Sequence, residues 1–120
     1  MEMIWRPFQY SGDKSTNIFT QVNYYHYSPP PGFCFDDVCR DEPIKDDPTL
    51  EDYNVDVRSD KFVNYFKSMA NHYRTANLMH TLGEDFQYTN SRMWYKNVDK
   101  LIKYINSKPE YKMKVIYSDP

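Results

Sequence analysis

Apolar positions in the second half of the chain recur every three or four residues, which is the spacing of one face of an α-helix. The first such stripe consists of Val55, Phe62, Phe66, Met69 and Tyr73. Asn54 precedes the stripe, and asparagine often accepts a backbone N–H of the first helical turn. We therefore predict an amphipathic helix from Asn54 to about Arg74, with the stripe in the core.

A second stripe predicts a second helix, which begins near Thr89 or Asn90 and ends before Pro109. Its members are Trp94, Val98, Leu101, Ile102 and Ile105. Lys103 and Lys108 lie near its carboxyl end, where positive charge interacts favourably with the helix dipole. This stripe, like the first, is typical of a packed core.

Three short apolar runs, Glu2–Trp5, 78–82 and 113–117, predict strands. Residues 7–53 form a long irregular segment, since six prolines interrupt any period in this part of the chain. Residues 54–118 read as helix, strand, helix, strand. The whole order predicts an α/β fold in which parallel strands are joined by crossover helices.

Composition and apolar patterning disfavour nucleic acid as a partner and give no membrane-spanning segment. Fifteen Lys and Arg residues against seventeen Asp and Glu give a net charge of −2, so the chain has no basic field for nucleic acid. No apolar run approaches the roughly 18 residues of a membrane-spanning helix, and residues 1–6 lack the pattern of a signal peptide. A length of 120 residues fits one small domain.

Cys34 and Cys39 are the two cysteines of the chain, and their spacing leaves three interpretations open. They are two free thiols, or they form a local disulfide that pins the loop around them, or they bind a metal. A structural zinc site is disfavoured, because it needs four ligands and no second cysteine or histidine pair completes it.

Glu84 and Asp85 follow the apolar run 78–82 and Gly83, where a buried strand would leave its sheet. In α/β folds, catalytic groups collect in the loops beyond the carboxyl ends of strands. Neighbouring side chains of an extended segment point to opposite sides, so only one of the two acids faces a given site. The alternative is that both are solvated turn residues.

Three segments resemble the glycoside hydrolase family 38 α-mannosidases, specifically their lysosomal type. Residues 83–88 read Gly-Glu-Asp-Phe-Gln-Tyr, residues 92–101 read Arg-Met-Trp-Tyr-Lys-Asn-Val-Asp-Lys-Leu, and residues 32–43 look like a family segment with two paired cysteines. The resemblance covers nearly all of residues 1–120 but only a middle slice of the family's catalytic domain. It implies part of a seven-stranded β/α barrel, in which residues 2–6 form an internal strand, so that Met1 need not be a biological start.

The resemblance also implies a function. The family hydrolyses α-mannosides by a retaining mechanism that uses zinc, and its lysosomal type removes terminal α-D-mannose from N-linked oligosaccharides in glycoprotein turnover. Asp85 matches the acid/base, which would need a raised pKa. Tyr27, before Ser-Pro-Pro-Pro-Gly, matches a tyrosine that lines the mannose site, although a loop aromatic packed on the barrel rim is the alternative. Cys34 and Cys39 match the disulfide.

The chain departs from the family pattern in two ways. Glu84 stands where lysosomal-type relatives often carry a small residue, and it receives no catalytic role. The motifs that hold the nucleophile and the zinc ligands do not occur, and His26, His72 and His80 match none of them. We therefore expect the chain to be inactive without the rest of a mannosidase, and to hold no zinc ligands itself. The alternatives are a non-catalytic mannose-binding or interaction domain derived from this fold, and a small α/β domain with free thiols.

Overall fold

Two helices, α1 (Val55–Ala70) and α2 (Ser91–Asn106), pack against each other and form most of the core. They belong to a computed structural model that describes residues 1–8, 14–39 and 41–118. The stripe predicted for α1 is buried, and so are four members of the α2 stripe, while Ile102 is partly buried beside them. Among the described residues, no helix is long and apolar enough to cross a membrane.

The start of α1 differs from the prediction in its chemistry. Asn54 occupies the N-cap position, but its side chain makes no cap hydrogen bond. Its Oδ1 accepts from the Lys45 N–H at 2.8 Å, and its Nδ2 donates to the Pro43 carbonyl at 3.1 Å. Asn54 therefore ties the preceding loop to the helix. At the other end, α1 stops at Ala70 rather than near Arg74, and turns continue from there to residue 73.

The sheet corrects the prediction of parallel strands. Strand β1 (Glu2–Trp5) pairs with β2 (Ile18–Gln21) in antiparallel register, with Glu2 opposite Gln21 and Trp5 opposite Ile18. A parallel neighbour needs a crossover that is usually helical, whereas a short connection returns the chain antiparallel. Strand β2 lies inside segment 7–53, so the prediction that this whole segment is irregular is wrong. The strand has only four residues, and their apolar and polar positions do not alternate enough to predict a strand.

The predicted strands at 78–82 and 113–117 are not strands in the described part of the chain. Side chains, rather than a neighbouring strand, bind their backbone. Gln21 donates to the Met79 carbonyl at 2.8 Å, and the Asn106 amide donates to the Val115 carbonyl and accepts from its N–H at 2.8 and 2.9 Å. These segments therefore do not form the predicted parallel sheet, and the seven-stranded barrel stays a prediction.

The loop between β2 and α1 is ordered by its contribution to the core. Phe33, Phe35 and Ile44 are at most 3% exposed and pack with the two helices. The buried amide of Asn97 accepts from the Ile44 N–H at 2.7 Å, so α2 fixes the loop backbone. This packing places residues 26–39 over the segment that connects α1 and α2.

Candidate active site

The structure brings together the two predicted site residues, Tyr27 and Asp85, which lie 58 positions apart in the sequence. The Tyr27 hydroxyl donates to Asp85 Oδ1 at 2.9 Å, and both side chains are exposed. The hydrogen bond to the Asp85 carboxylate is the main reason why the pKa of Tyr27 lies above its usual value. A carboxylate and a phenol are thus held together at the surface.

Residues 26–28 and 81–85 are joined by further polar contacts around this pair. The Ser28 hydroxyl donates to Glu84 and lies 2.9 Å from His26 Nδ1, while the Thr81 hydroxyl donates to the Tyr27 carbonyl at 2.9 Å. Glu84 and Asp85 therefore engage different residues, as expected for adjacent side chains that point apart. Through its contact with Ser28, Glu84 stabilises the position of residues 26–28.

Residues 83–88, which we call the acid loop, have an unusual backbone. Gly83, Phe86 and Tyr88 have φ angles of 147°, 63° and 68°. Only glycine fits the first position, because a Cβ there would lie 2.8 Å from Cε2 of the Tyr88 ring. The left-handed conformation is disfavoured for the two aromatic residues, so contacts elsewhere must maintain it.

Asp36, which the sequence analysis did not identify, supplies one such contact. It is 4% exposed, and its Oδ2 accepts hydrogen bonds from the Tyr88 N–H and the Trp94 indole N–H, both at 2.8 Å. These donors, the indole first, lower the pKa of the Asp36 carboxyl below its usual value. The only signal in the sequence is an acid within an aromatic, cysteine-bounded stretch, and this signal is weak because Asp37 shares it.

A disulfide joins Cys34 and Cys39, whose Cα atoms are 5.8 Å apart. The pairing implied by the family resemblance is therefore present, and it closes the short loop that carries Asp36. Gln87 of the acid loop directs its Nε2 toward both sulfurs, at 3.6 and 4.0 Å. The disulfide loop thus lies directly behind the acid loop.

The histidines do not form a metal centre. His80 packs against the rings of Tyr65 and Phe66, and burial lowers its pKa, whereas His26 and His72 are exposed. Across residues 1–8, 14–39 and 41–118, no three His, Cys, Asp or Glu side chains are grouped closely enough to hold a metal ion. The described residues therefore do not fit a zinc site.

Comparison with known proteins identifies the family. The glycosyl hydrolases family 38 N-terminal domain matches residues 1–120. The chain belongs to this family. The resemblance inferred from residues 32–43, 83–88 and 92–101 is therefore confirmed.

Among the similar proteins, the lysosomal alpha-mannosidases of Dictyostelium discoideum and Homo sapiens are 44% identical over 121 residues and 37% identical over 122 residues. Alpha-mannosidase At3g26720 of Arabidopsis thaliana is 39% identical over 120 residues. Each comparison covers all of this chain but only 12% of the relative. The family 38 chain described here thus corresponds to about an eighth of these glycosidases.

Proposed function

We propose that this chain carries the acid/base segment of a retaining, zinc-dependent α-mannosidase that removes terminal α-D-mannose from N-linked oligosaccharides in the lysosome. The observation that supports this most directly is the 2.9 Å hydrogen bond between Tyr27 and Asp85. Relatives that are named lysosomal alpha-mannosidases support the substrate class and the location.

In this proposal Asp85 is the acid that protonates the departing glycosidic oxygen, and it is later the base that takes a proton from water. Tyr27 contacts the mannose and orients the carboxyl group. Retention also requires a nucleophilic carboxylate roughly 5 Å from the acid. That carboxylate and the zinc ligands would come from other parts of the mannosidase polypeptide, and Glu84, which is bound to Ser28, has no catalytic role.

A second candidate is a mannose-binding or interaction domain without catalysis. Three exposed aromatic side chains near the site favour it, since Tyr25, Tyr27 and Phe86 are 85%, 40% and 96% exposed. Aromatic faces stack readily on apolar ligand surfaces and need no acid to do so. The two candidates differ in what happens when Asp85 loses its acidity.

A chimera tests the proposal directly. The 120-residue chain replaces the matching segment of the Dictyostelium discoideum lysosomal alpha-mannosidase, and hydrolysis of an ordinary α-mannoside is measured. Asp85→Asn preserves shape but removes proton transfer, so we expect kcat to fall about 10²- to 10⁴-fold. Glu84→Gln, the matched control one residue away, should lower kcat much less.

The leaving group gives a second test of the role of Asp85. The dinitrophenolate of a dinitrophenyl mannoside departs without protonation. The Asp85→Asn variant should therefore regain much of the rate of the first step with this substrate. Breakdown of the mannosyl intermediate would still lack its base, so this intermediate should accumulate. Its formation should be seen as an initial burst of released dinitrophenol. If the chimera binds mannosides without hydrolysis, the binding domain is favoured. If Glu84→Gln abolishes turnover while Asp85→Asn does not, the acid is assigned wrongly.

A further inference from the structure

We infer that Asp36 is a positioning residue for Asp85 and acts on it through the backbone of Tyr88. The inference rests on the proposed function, because it takes Asp85 as the acid/base. Asp36 does not contact the Tyr27–Asp85 pair directly. Its role follows from how the acid loop is held in an unfavourable conformation.

Phe86 shows that the acid loop is not held by its own packing. Its φ of 63° is unfavourable for an aromatic residue, and its side chain is 96% exposed, so no burial compensates for this conformation. Tyr88, two residues later, has a φ of 68°. The restraint must therefore come from the contacts of neighbouring residues, and the contacts of Tyr88 are the most extensive.

Tyr88 is fixed at its ring, its hydroxyl and its backbone. Its ring stacks on Trp94 at 4.8 Å, with 13° between the planes, and its hydroxyl donates to the Leu82 carbonyl at 2.6 Å. Its N–H donates to Asp36 Oδ2 at 2.8 Å. Because the backbone contact ends on a carboxylate, it belongs to the stronger, charge-assisted class of hydrogen bond.

Asp36 links the acid loop to rigid elements. The oxygen that accepts from Tyr88 also accepts from the Trp94 indole of helix α2, and the other oxygen accepts from the Val38 N–H at 3.4 Å. The Cys34–Cys39 disulfide closes the loop that carries Asp36. The carboxylate is thus bound between two fixed elements, and the loop backbone is bound to it.

The connection from Tyr88 to Asp85 is short. The Gln87 N–H donates to the Glu84 carbonyl at 3.3 Å, which closes a turn with Asp85 and Phe86 at its centre. Asp36 holds the residue that follows this turn. Displacement of Tyr88 therefore shifts the Asp85 carboxyl group, and a misplacement of about 1 Å is enough to lower a rate on the order of 10²-fold.

Asp36→Asn with Asp37→Asn as its matched control tests the inference. An asparagine at residue 36 keeps the size of the side chain but replaces one acceptor oxygen by an NH₂ group, which would face a donor. Asp37 is the next residue and is exposed, so Asp37→Asn makes the same change in net charge without touching the acid loop. Each variant is made in the 120-residue chain and in the mannosidase chimera.

Amide hydrogen exchange in the 120-residue chain measures positioning without reference to activity. We expect Asp36→Asn to speed exchange of the two hydrogen-bonded amides of the acid loop, Gln87 and Tyr88, at least tenfold over the parent and Asp37→Asn, with α1 and α2 unchanged. Equal exchange in the two variants would overturn the inference. If the Asp36→Asn variant does not fold, hydrogen exchange is measured in the double variant Asp36→Asn, Phe86→Gly, because glycine tolerates the φ of residue 86. If neither variant folds, or if exchange rises equally throughout, Asp36 has a general structural role and the inference fails.

Kinetics of the chimera measure the consequence for catalysis. With active sites counted by a burst titration, Asp36→Asn should lower kcat for an ordinary α-mannoside about tenfold while KM changes less than twofold. The loss of kcat/KM, which reports the first step, should be smaller for a dinitrophenyl mannoside, because dinitrophenolate departs without an acid. A normal kcat with the ordinary α-mannoside, or an equal loss of kcat/KM with both substrates, contradicts the inference. An inactive parent chimera defeats the proposed function alone, and hydrogen exchange still decides the role of Asp36.

Discussion

Asp36 and Asp85 are two carboxylates of one site in contrasting environments. Asp36 is buried, accepts hydrogen bonds from three N–H groups and has a lowered pKa, so its ionised form is the stable one. Asp85 is exposed and receives a hydrogen bond from the Tyr27 phenol. The first environment suits a fixed anchor, and the second leaves the carboxylate accessible to a substrate.

At the level of single residues, the Tyr27–Asp85 contact has a measurable pH signature. A carboxylate that accepts the phenolic proton favours neutral Tyr27 and raises its pKa. Asp85→Asn should therefore lower the pKa of Tyr27 toward the usual value of about 10. At a pH near that value, a larger fraction of Tyr27 should be ionised in the variant than in the parent. Carbon-13 NMR of labelled tyrosine side chains follows this titration.

Glu84→Gln is the control for this titration, because it removes the same charge one residue away. Glu84 makes no hydrogen bond to the Tyr27 hydroxyl and raises its pKa only through its charge, less than Asp85 does. Its substitution should therefore shift the titration less than Asp85→Asn. A larger shift with Glu84→Gln, or none with either variant, would show that the phenol does not pair with Asp85 in solution.

The sequence predicted Tyr27 and Asp85 as candidate site residues but gave no prediction for Asp36, and the reason is physical. Asp85 follows a glycine at the end of an apolar run, and both residues stand in segments with a recognisable family pattern. Asp36 gains its role only when α2 brings Trp94 within 2.8 Å of its carboxylate. Such a contact across 58 residues leaves no periodic trace, and Asp37 gives the same local signal.

At the level of elements, the helices could be predicted and the strands largely could not. The α1 and α2 stripes are local patterns at helical spacing, and their burial follows from them. A strand also needs a partner at the right distance. Residues 78–82 and 113–117 have apolar strand-like sequences, yet their backbones bind the side chains of Gln21 and Asn106. Only β1 was predicted correctly, and its antiparallel partner β2 was missed.

Two valines of α1 provide a matched test of the packing between the helices. Val63 is 1% exposed and Val57 is 69% exposed. Val63→Ala should lower the free energy of unfolding by about 2 kcal/mol, since it removes buried methyl groups and leaves a cavity. Val57→Ala should change it by less than about 0.5 kcal/mol, because an exposed site loses little packing. Urea denaturation of the oxidised chain measures both, and similar losses would contradict the α1 packing described here.

At the scale of the whole molecule, the site lies where two segments of loop meet. Residues 26–28 come from the long segment before α1, and residues 81–85 come from the connection between the helices, so the core sets their relative position. In the proposed function, the site contributes one carboxylate, Asp85, for proton transfer. A retaining glycosidase needs a second carboxylate on the same sugar, and the described residues offer no metal cluster.

We therefore expect the 120-residue chain by itself neither to bind zinc tightly nor to cleave α-mannosides. Tight zinc sites need several converging ligands, and Glu84, the nearest acid in sequence to Asp85, is bound to Ser28. Equilibrium dialysis with zinc and a hydrolysis assay on the purified chain measure the two properties, with the active chimera as the positive control. If the metal-loaded chain hydrolyses α-mannosides and Asp85→Asn abolishes this turnover, the chain supplies its own nucleophile. In that case the division of the catalytic groups between this chain and other polypeptide segments would be wrong, while the assignment of Asp85 would stand.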